Sequence, residues 1–180
     1  TVSFAVGESS KTVTLEVIGD KTIEIDESIV FTLSNPGDDL NLGSLSSSTT
    51  TVTDDDSLAS IVADQVSVVE GNEGSSQVVT FTVSRSGSLS SSQVDWSASG
   101  LDATDFDGGV IPSGVLNFAV GELSQQISIT IAGDRDIESD ETLTVALSNP
   151  GSDMTLGTAS ADITVINDDS GFSLIGDVMT

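Results

Sequence analysis

The stretch that decides the fold is residues 127–151, which read ISITIAGDRDIESDETLTVALSNPG. At 127–131 and again at 142–147, apolar and polar residues alternate, which is the pattern of a strand with one buried face. An acid-rich segment separates the two runs, and the Asn-Pro-Gly triplet that closes the stretch is typical of a tight turn. This part of the chain therefore predicts two strands joined by an acidic loop.

The same pattern extends over the rest of the sequence. Strands are predicted at residues 61–69, 78–83, 94–98, 110–118, 127–131, 142–147 and 161–166. About seven strands separated by short turns are typical of an immunoglobulin-like sandwich. Hydrophobic residues make up 37% of the chain but aromatic residues only 4%, so the core is expected to consist of Val, Ile and Leu. The predicted fold is all-β, with immunoglobulin-like antiparallel β-sandwich modules in tandem.

An internal repeat organises the chain. The sequence FAVGE at residues 4–8 returns at 118–122, and LSNPG at 33–37 returns at 147–151, both with an offset of 114 (118 minus 4). The repeat predicts that residues 1–56 are the C-terminal half of a module, that 57–169 are a complete module, and that 170–180 are a linker and the first strand of a following module. Residues 1–4 are expected to form a strand rather than part of a signal peptide. The half-module is either an excerpt of an array or a half-domain that a neighbouring chain completes by strand addition.

Composition excludes several function classes. Asp and Glu number 29 against 4 Lys and Arg, a formal net charge of -25, so nucleic acid is a poor partner. No run of about 18 apolar residues occurs, so membrane insertion is not expected. The chain has no Cys and no His, which removes the usual zinc sites, the Ser-His-Asp triad and haem ligation by either residue. A glycosidase with paired carboxylates is the remaining enzyme class, but its acids are better explained as metal ligands, and Trp96 is expected in the core. No enzymatic function is predicted.

The acids gather at strand ends. One cluster is the loop 134–141, another is Asn167-Asp168-Asp169, and a dispersed set comprises Glu70 with Asp102, Asp105 and Asp107. Crowded carboxylates repel one another unless a cation lies between them, and calcium accepts six to eight oxygen ligands in flexible geometry. The alternative is that these loops are solvated and discourage edge pairing of strands. The recurrence of two clusters in register favours calcium.

The joint pattern resembles the Calx-beta family: F-x-x-G-E at 118–122, E-x-D-E at 138–141, LSNP at 147–150, LG at 156–157 and NDD at 167–169. The resemblance implies an immunoglobulin-like sandwich that holds calcium at one end. In the complete module the implied ligands are Glu70, Asp105, Asp134, Glu138, Glu141, Asp168 and Asp169. In the half-module the acids at the matching places are Asp20, Glu24, Glu27, Asp54, Asp55 and Asp56, without counterparts of Glu70 and Asp105. Arg135 and Gly133 stand where the exchanger domains of this family carry further acids.

Two functions follow from this reading. The first is a calcium-binding structural or adhesive module of an extracellular or cell-surface stalk, matrix protein or filament, in which calcium stiffens loops and module junctions. Its partners would be calcium ions, neighbouring modules or further copies of the chain, and a surface polysaccharide or protein. The second is a regulatory calcium sensor of a membrane transporter.

Overall fold

A computed structural model describes residues 1–171 of the chain. Two strands lie in the half-module, β1 (Glu27–Thr32) and β2 (Ser47–Val52). The complete module contributes β3 (Ser57–Ala63), β4 (Ser67–Val69), β5 (Ser76–Arg85), β6 (Ser92–Ser99), β7 (Ser113–Phe118), β8 (Ser124–Ala132), β9 (Glu141–Ser148), β10 (Met154–Leu156) and β11 (Ser160–Ile166). The strand predicted within 170–180 lies outside the described residues, apart from 170 and 171.

The complete module is a sandwich of two sheets. One sheet has the strand order β10-β3-β5-β8, and the other has the order β4-β11-β9-β6-β7. Neighbouring strands are antiparallel except for β10 with β3 and β4 with β11, which are parallel. The all-β, immunoglobulin-like prediction is confirmed.

The core lies between the sheets and follows the alternation read from the sequence. Every second residue of β8, namely Ile127, Ile129 and Ile131, is buried, and the intervening residues face outward. Leu143 and Val145 of β9 fill the core from the opposite sheet. Three fully buried phenylalanines add bulk that the low aromatic content did not predict. Trp96 is half-buried and packs against the core, as expected for a structural residue.

The predicted first strand at 61–69 divides into two strands. Residues of β3 pair with β5 in one sheet, and after a bend the chain enters the other sheet as β4, parallel to β11. A short strand, β10, also pairs with β3, although its sequence is too brief to show alternation. The complete module therefore has nine strands rather than about seven. Because of this change of sheet, Glu70, the residue after β4, lies beside the end of β11.

The expected strand at residues 1–4 is wrong. No strand is assigned between residues 1 and 26, and the half-module has a single antiparallel pair, β1 with β2. Its local turns nevertheless match those of the complete module: Asn35 and Asn149 both adopt a left-handed backbone, with φ of 52° and 47°. Asparagine tolerates that region better than most residues. No helix among the described residues has the length and apolarity that a bilayer span requires.

Candidate metal centre

One end of the sandwich gathers acids from distant parts of the sequence. Because β4 runs parallel to β11, the first and last strands of the module end side by side, and the Glu70 amide donates to the Ile166 carbonyl at 3.0 Å. The next amide, that of Gly71, donates to Oδ1 of Asp168 at 2.9 Å. The Asp168 carboxylate therefore joins the two strand ends.

A short 3-10 turn, Ala103–Asp105, carries the second buried acid of this end. Oδ2 of Asp105 accepts a hydrogen bond from the Asp102 amide at 2.8 Å, and a bridge between Phe106 and Ile131 fixes the turn beside β8. The turn is held by the buried Phe106 ring on one side and by its own carboxylate on the other. The fold itself therefore fixes the position of Asp105.

The acidic loop between β8 and β9 is tied to the same end. It begins with Gly133, where a Cβ atom would collide with the backbone oxygens of Gly71 and Asn72. This contact explains why glycine replaces the acid that the family resemblance leads one to expect. Further along, the Asn167 side chain donates to the Asp136 carbonyl at 3.1 Å, which joins the loop to the end of β11.

These three segments enclose a small cavity. Its volume is about 10 Å³, and its lining includes the side chains of Glu70, Asp105, Glu138, Glu141 and Asn167 above an apolar floor of Leu101 and Val165. A cavity of this size accommodates about one water-sized sphere. The cavity is therefore large enough for a single ion or water molecule but not for an organic ligand.

Electrostatics inside the cavity are unfavourable without a cation. Glu70 is only 3% exposed. Burial, and after it the charges of Asp134, Glu138, Asp105 and Asp169, together raise its pKa to about 7. Burial, followed by the charge of Asp105, also raises the pKa of Glu138 and that of Glu141. Each carboxylate therefore makes ionisation of its neighbours more costly.

Two buried oxygens in the described residues have no hydrogen-bond partner, Oε1 of Glu70 and Oδ2 of Asp169. A buried acceptor without a partner costs about 1–3 kcal/mol, and more when it is charged. Carboxylate oxygens without partners, beside a cavity that holds one ion, suit a hard cation that takes oxygen ligands. Calcium is such a cation. Within residues 1–171 no three acids already stand in metal-holding geometry, so a cation in this cavity would require side-chain adjustment.

The structure distributes the predicted residues among three places. Glu70, Asp105, Glu138 and Glu141 line the cavity, and Asp134 and Asp169 lie close enough to raise the Glu70 pKa. Asp168 instead accepts the Gly71 amide and positions the strand ends. Arg135 turns outward, where its Nε lies 3.0 Å from Oε2 of the exposed Glu73.

Asn167 lines the cavity, although the implied ligand set did not include it. Its place in the Asn167-Asp168-Asp169 cluster was the available signal, because an amide oxygen is also a calcium ligand.

The acids of the half-module lie at the junction with the complete module. An opening of about 240 Å³ is lined by Glu24, Asp26, Asp54, Asp55 and Asp56 on one side and by Ser86, Gly87 and Leu89 of the complete module on the other. Burial and the charges of Asp54 and Asp55 raise the pKa of Asp56. Asp20, which accepts the Thr22 amide, and Glu27, the first residue of β1, are not among the residues that line the opening.

Comparison with known proteins agrees with this architecture. The crystal structure of the apo-form Calx CBD1 domain has a TM-score of 0.51 and 23% identity over 63% of this chain and 98% of that one, a likeness of fold alone. The crystal structure of CBD12 from CALX1.2 has a TM-score of 0.50 and 26% identity over 61% of this chain, but the chain spans only 45% of that structure. The Calx-beta domain model matches residues 1–56 and 54–169. The chain belongs to the Calx-beta domain family.

Proposed function

We propose that the complete module binds calcium in the cavity between Glu70, Asp105, Glu138 and Glu141. The observation that carries the proposal is the buried Glu70 carboxylate, whose Oε1 has no partner and whose pKa is raised to about 7 by burial and by the acids around it. A bound calcium ion would supply the positive charge that these oxygens lack. Asn167 would add a neutral oxygen, and Asp168 would hold the ends of β4 and β11 together.

We propose further that calcium binding serves a structural role and not catalysis. Each segment around the cavity comes from a different part of the chain, so a ligand held by all three would restrain β4, the 3-10 turn and the acidic loop together. The repetition of the unit and the charge of -25 support modules of an extracellular or cell-surface stalk, matrix protein or filament. Neighbouring modules, further copies and a surface polysaccharide or protein are the partners in this role.

The test is a calorimetric calcium titration of the full chain and of its Asp105→Asn variant, with thermal melting in calcium and in chelator. The wild type should bind and melt at a higher temperature in calcium, whereas the variant should lose most of both effects. Asp162→Asn, an exposed acid of β11 outside the cavity, is the matched control and should behave as wild type. Equal melting of the wild type in calcium and in chelator would contradict the proposal.

A second candidate is the regulatory sensor of a membrane transporter, favoured by the likeness to CBD12 from CALX1.2. The two functions require different affinities. Calcium sensors are typically half-saturated at about 10⁻⁷–10⁻⁵ M, whereas extracellular modules work at about 10⁻⁴–10⁻³ M. The same titration therefore separates them: a dissociation constant in the lower range would favour the sensor.

A further inference from the structure

Each sheet of the complete module ends in two edge strands. They are β10 and β8 in one sheet and β4 and β7 in the other. β4 and β10 have three residues each, and β7 contains Gly114 and comes directly after Pro112. Short length, proline and glycine all discourage a further strand from pairing with an edge. β8 has nine residues and neither Gly nor Pro, so the fold leaves this edge open to pairing.

The backbone groups of β8 point alternately toward β5 and toward the free edge. The Leu123 carbonyl, just before β8, accepts the Arg85 amide of β5 at 2.9 Å, whereas the Thr130 carbonyl accepts the Asp107 amide, which lies on the other side, at 3.1 Å. In an antiparallel strand the N–H and C=O of one residue point to the same side, and those of the next residue point to the opposite side. The even-numbered residues of β8 before Thr130 therefore present both groups at the free edge. They are Ser124, Gln126 and Ser128.

This free edge is uncharged in a strongly acidic chain. Residues 123–132, which read LSQQISITIA, contain no Asp, Glu, Lys or Arg, whereas the whole chain has a net charge of -25. The side chains of the three free-edge residues are exposed, and Ile127 and Ile129 between and beside them are buried in the core. Charged side chains, lysine above all, are the usual protection of an exposed edge. A strand that approaches β8 therefore meets backbone donors and acceptors without a like charge among them.

We propose that β8 pairs with β8 of a second copy of this chain, antiparallel and centred on Gln126. In this register Ser124 faces Ser128 of the second copy, and Gln126 faces Gln126. Each facing pair exchanges two backbone hydrogen bonds, which gives about six in all. The pairing joins two four-stranded sheets into one continuous sheet and uses no residue of the calcium cavity.

The length of the free edge suits a second copy. The free edge ends at Thr130, because the Asp107 amide takes its carbonyl, so a paired strand has to leave the sheet there. In the register centred on Gln126, the residue of the second copy that faces Thr130 is Glu122 (126 plus 126 minus 130). Glu122 lies in the turn that leads from β7 into β8. The second copy therefore turns out of the sheet at the position where pairing has to stop.

The same register brings two acids together at each end of the pair, Asp107 of one copy and Glu122 of the other. Glu122 accepts hydrogen bonds from the Ala119 amide and the Gln125 side chain, and these bonds lower its pKa, so it is ionised at neutral pH. Like charges repel, and salt screens the repulsion between exposed charges. Association should therefore become stronger as the concentration of a monovalent salt rises, which is the opposite of a contact held by ion pairs.

Cysteine cross-linking tests the register, because the chain contains no cysteine of its own. Facing residues of a hydrogen-bonded pair have Cα atoms about 5.5 Å apart, within the range that a disulfide spans. In chelator, the Gln126→Cys chain should cross-link with itself at least about tenfold faster than the Ser97→Cys chain, because pairing holds the two sulfurs within reach. Ser97 is the matched control, since it is exposed on β6 of the other sheet. The Ser124→Cys chain should cross-link with the Ser128→Cys chain but not with itself.

Sedimentation of the full chain in chelator tests the role of the backbone. The average mass of the wild type should rise with protein concentration and with salt. Gln126→Pro removes the central N–H of the free edge and no bond to β5, so this variant should stay monomeric. Gln126→Ser keeps the N–H and should associate as the wild type does. Protected β5 amides show that the proline variant is folded; if it is not, Gln126→Lys, which places like charges opposite one another, takes its place.

Four results would overturn the proposal. One is a wild type that stays monomeric at every salt concentration, with Gln126→Cys cross-linking no faster than Ser97→Cys. Another is self-cross-linking of the Ser124→Cys chain and of the Ser128→Cys chain, which would indicate parallel strands. A folded Gln126→Pro chain that still associates would place the contact elsewhere. Binding of a peptide with the sequence of residues 123–131 to a chain that stays monomeric would show that β8 accepts a strand of another protein. Because calcium is absent throughout, none of these results bears on the calcium site.

Discussion

Glu70→Gln should have opposite effects on stability in the absence and in the presence of calcium. The substitution keeps the size of the side chain and removes a charge that is buried among other acids. Without calcium the folded wild type holds this carboxyl at a pKa of about 7 against an ordinary value of 4.5, which corresponds to about 3 kcal/mol of unfavourable free energy when it is ionised. Glutamine avoids that cost.

The sign of the pH dependence follows from the direction of the shift. Because folding raises the pKa of Glu70, its protonated form favours the folded state below pH 4.5, and this contribution is lost as the pH rises to about 7. In calcium-free buffer the variant should therefore match the wild type below pH 4.5, become progressively the more stable protein between pH 4.5 and 7, and keep the full difference above pH 7. At pH 8 the difference of about 3 kcal/mol amounts to a melting temperature higher by about 10 °C for a module of this size.

Calcium should reverse the order of the two proteins. The wild type gains stability from the bound ion, whereas the variant lacks a buried ligand and gains little. Differential scanning calorimetry at pH 8, with chelator and with millimolar calcium, measures both effects. Glu73→Gln is the matched control, because Glu73 is exposed and three residues away, and it should change neither melting temperature by much. A variant that is less stable than the wild type in chelator, or that keeps the full response to calcium, would refute the reasoning.

Three further outcomes are expected. Raising the salt concentration from low to physiological values should stabilise the calcium-free protein and affect the calcium-bound protein less, because salt screens repulsion among carboxylates; melting curves at several ionic strengths check this. Arg85→Met should destabilise the complete module by about 3 kcal/mol in urea unfolding, since the buried guanidinium donates to the carbonyls of Glu122, Ser90 and Ala119. Gly100→Ala should cost at least about 2 kcal/mol by the same assay, because Gly100 has φ of 96° and a Cβ would collide with the Thr142 carbonyl, whereas Gly108→Ala, with φ of 88° in open space, should cost less.

Alternation predicted the long strands because each has one buried face. Residues 127–131 and 142–147 fall within β8 and β9, and the acids between them lie in a loop, as expected. The sequence did not reveal that residues 61–69 form two strands. The bend at Asp64 and Gln65 contains no Gly or Pro, and the change of sheet depends on pairing with β11. β10 could not be read either, because three residues carry no period and its pairing with β3 joins residues about 100 positions apart.

The candidate site was predictable as a set of acids but not as an arrangement. The family resemblance named Glu70 and Asp105 as ligands, but their burial and the charges around Glu70 appear only in the structure. Asp168 looked equivalent to Asp169, but its hydrogen bond with the Gly71 amide gives it a positioning role. Sequence spacing cannot distinguish these roles, because the parallel pairing of β4 with β11 determines which of the two adjacent acids faces the strand end.

The two acidic clusters, one around Glu70 and the other at residues 54–56, have different mechanical consequences. β9 runs from Glu141 to Ser148, so the cavity at its start and the Asp153 turn beyond its end lie at opposite poles of the complete module. The half-module contacts the second pole: the Lys21 ammonium donates to the Gly151 carbonyl at 2.9 Å, and the Ser90 hydroxyl donates to the Asp55 carbonyl at 3.4 Å. Under the proposed function, neutralising the acids around Glu70 changes the stability of one module. Neutralising Asp54, Asp55 and Asp56 acts where one unit meets the next, and so changes how firmly the two are held end to end.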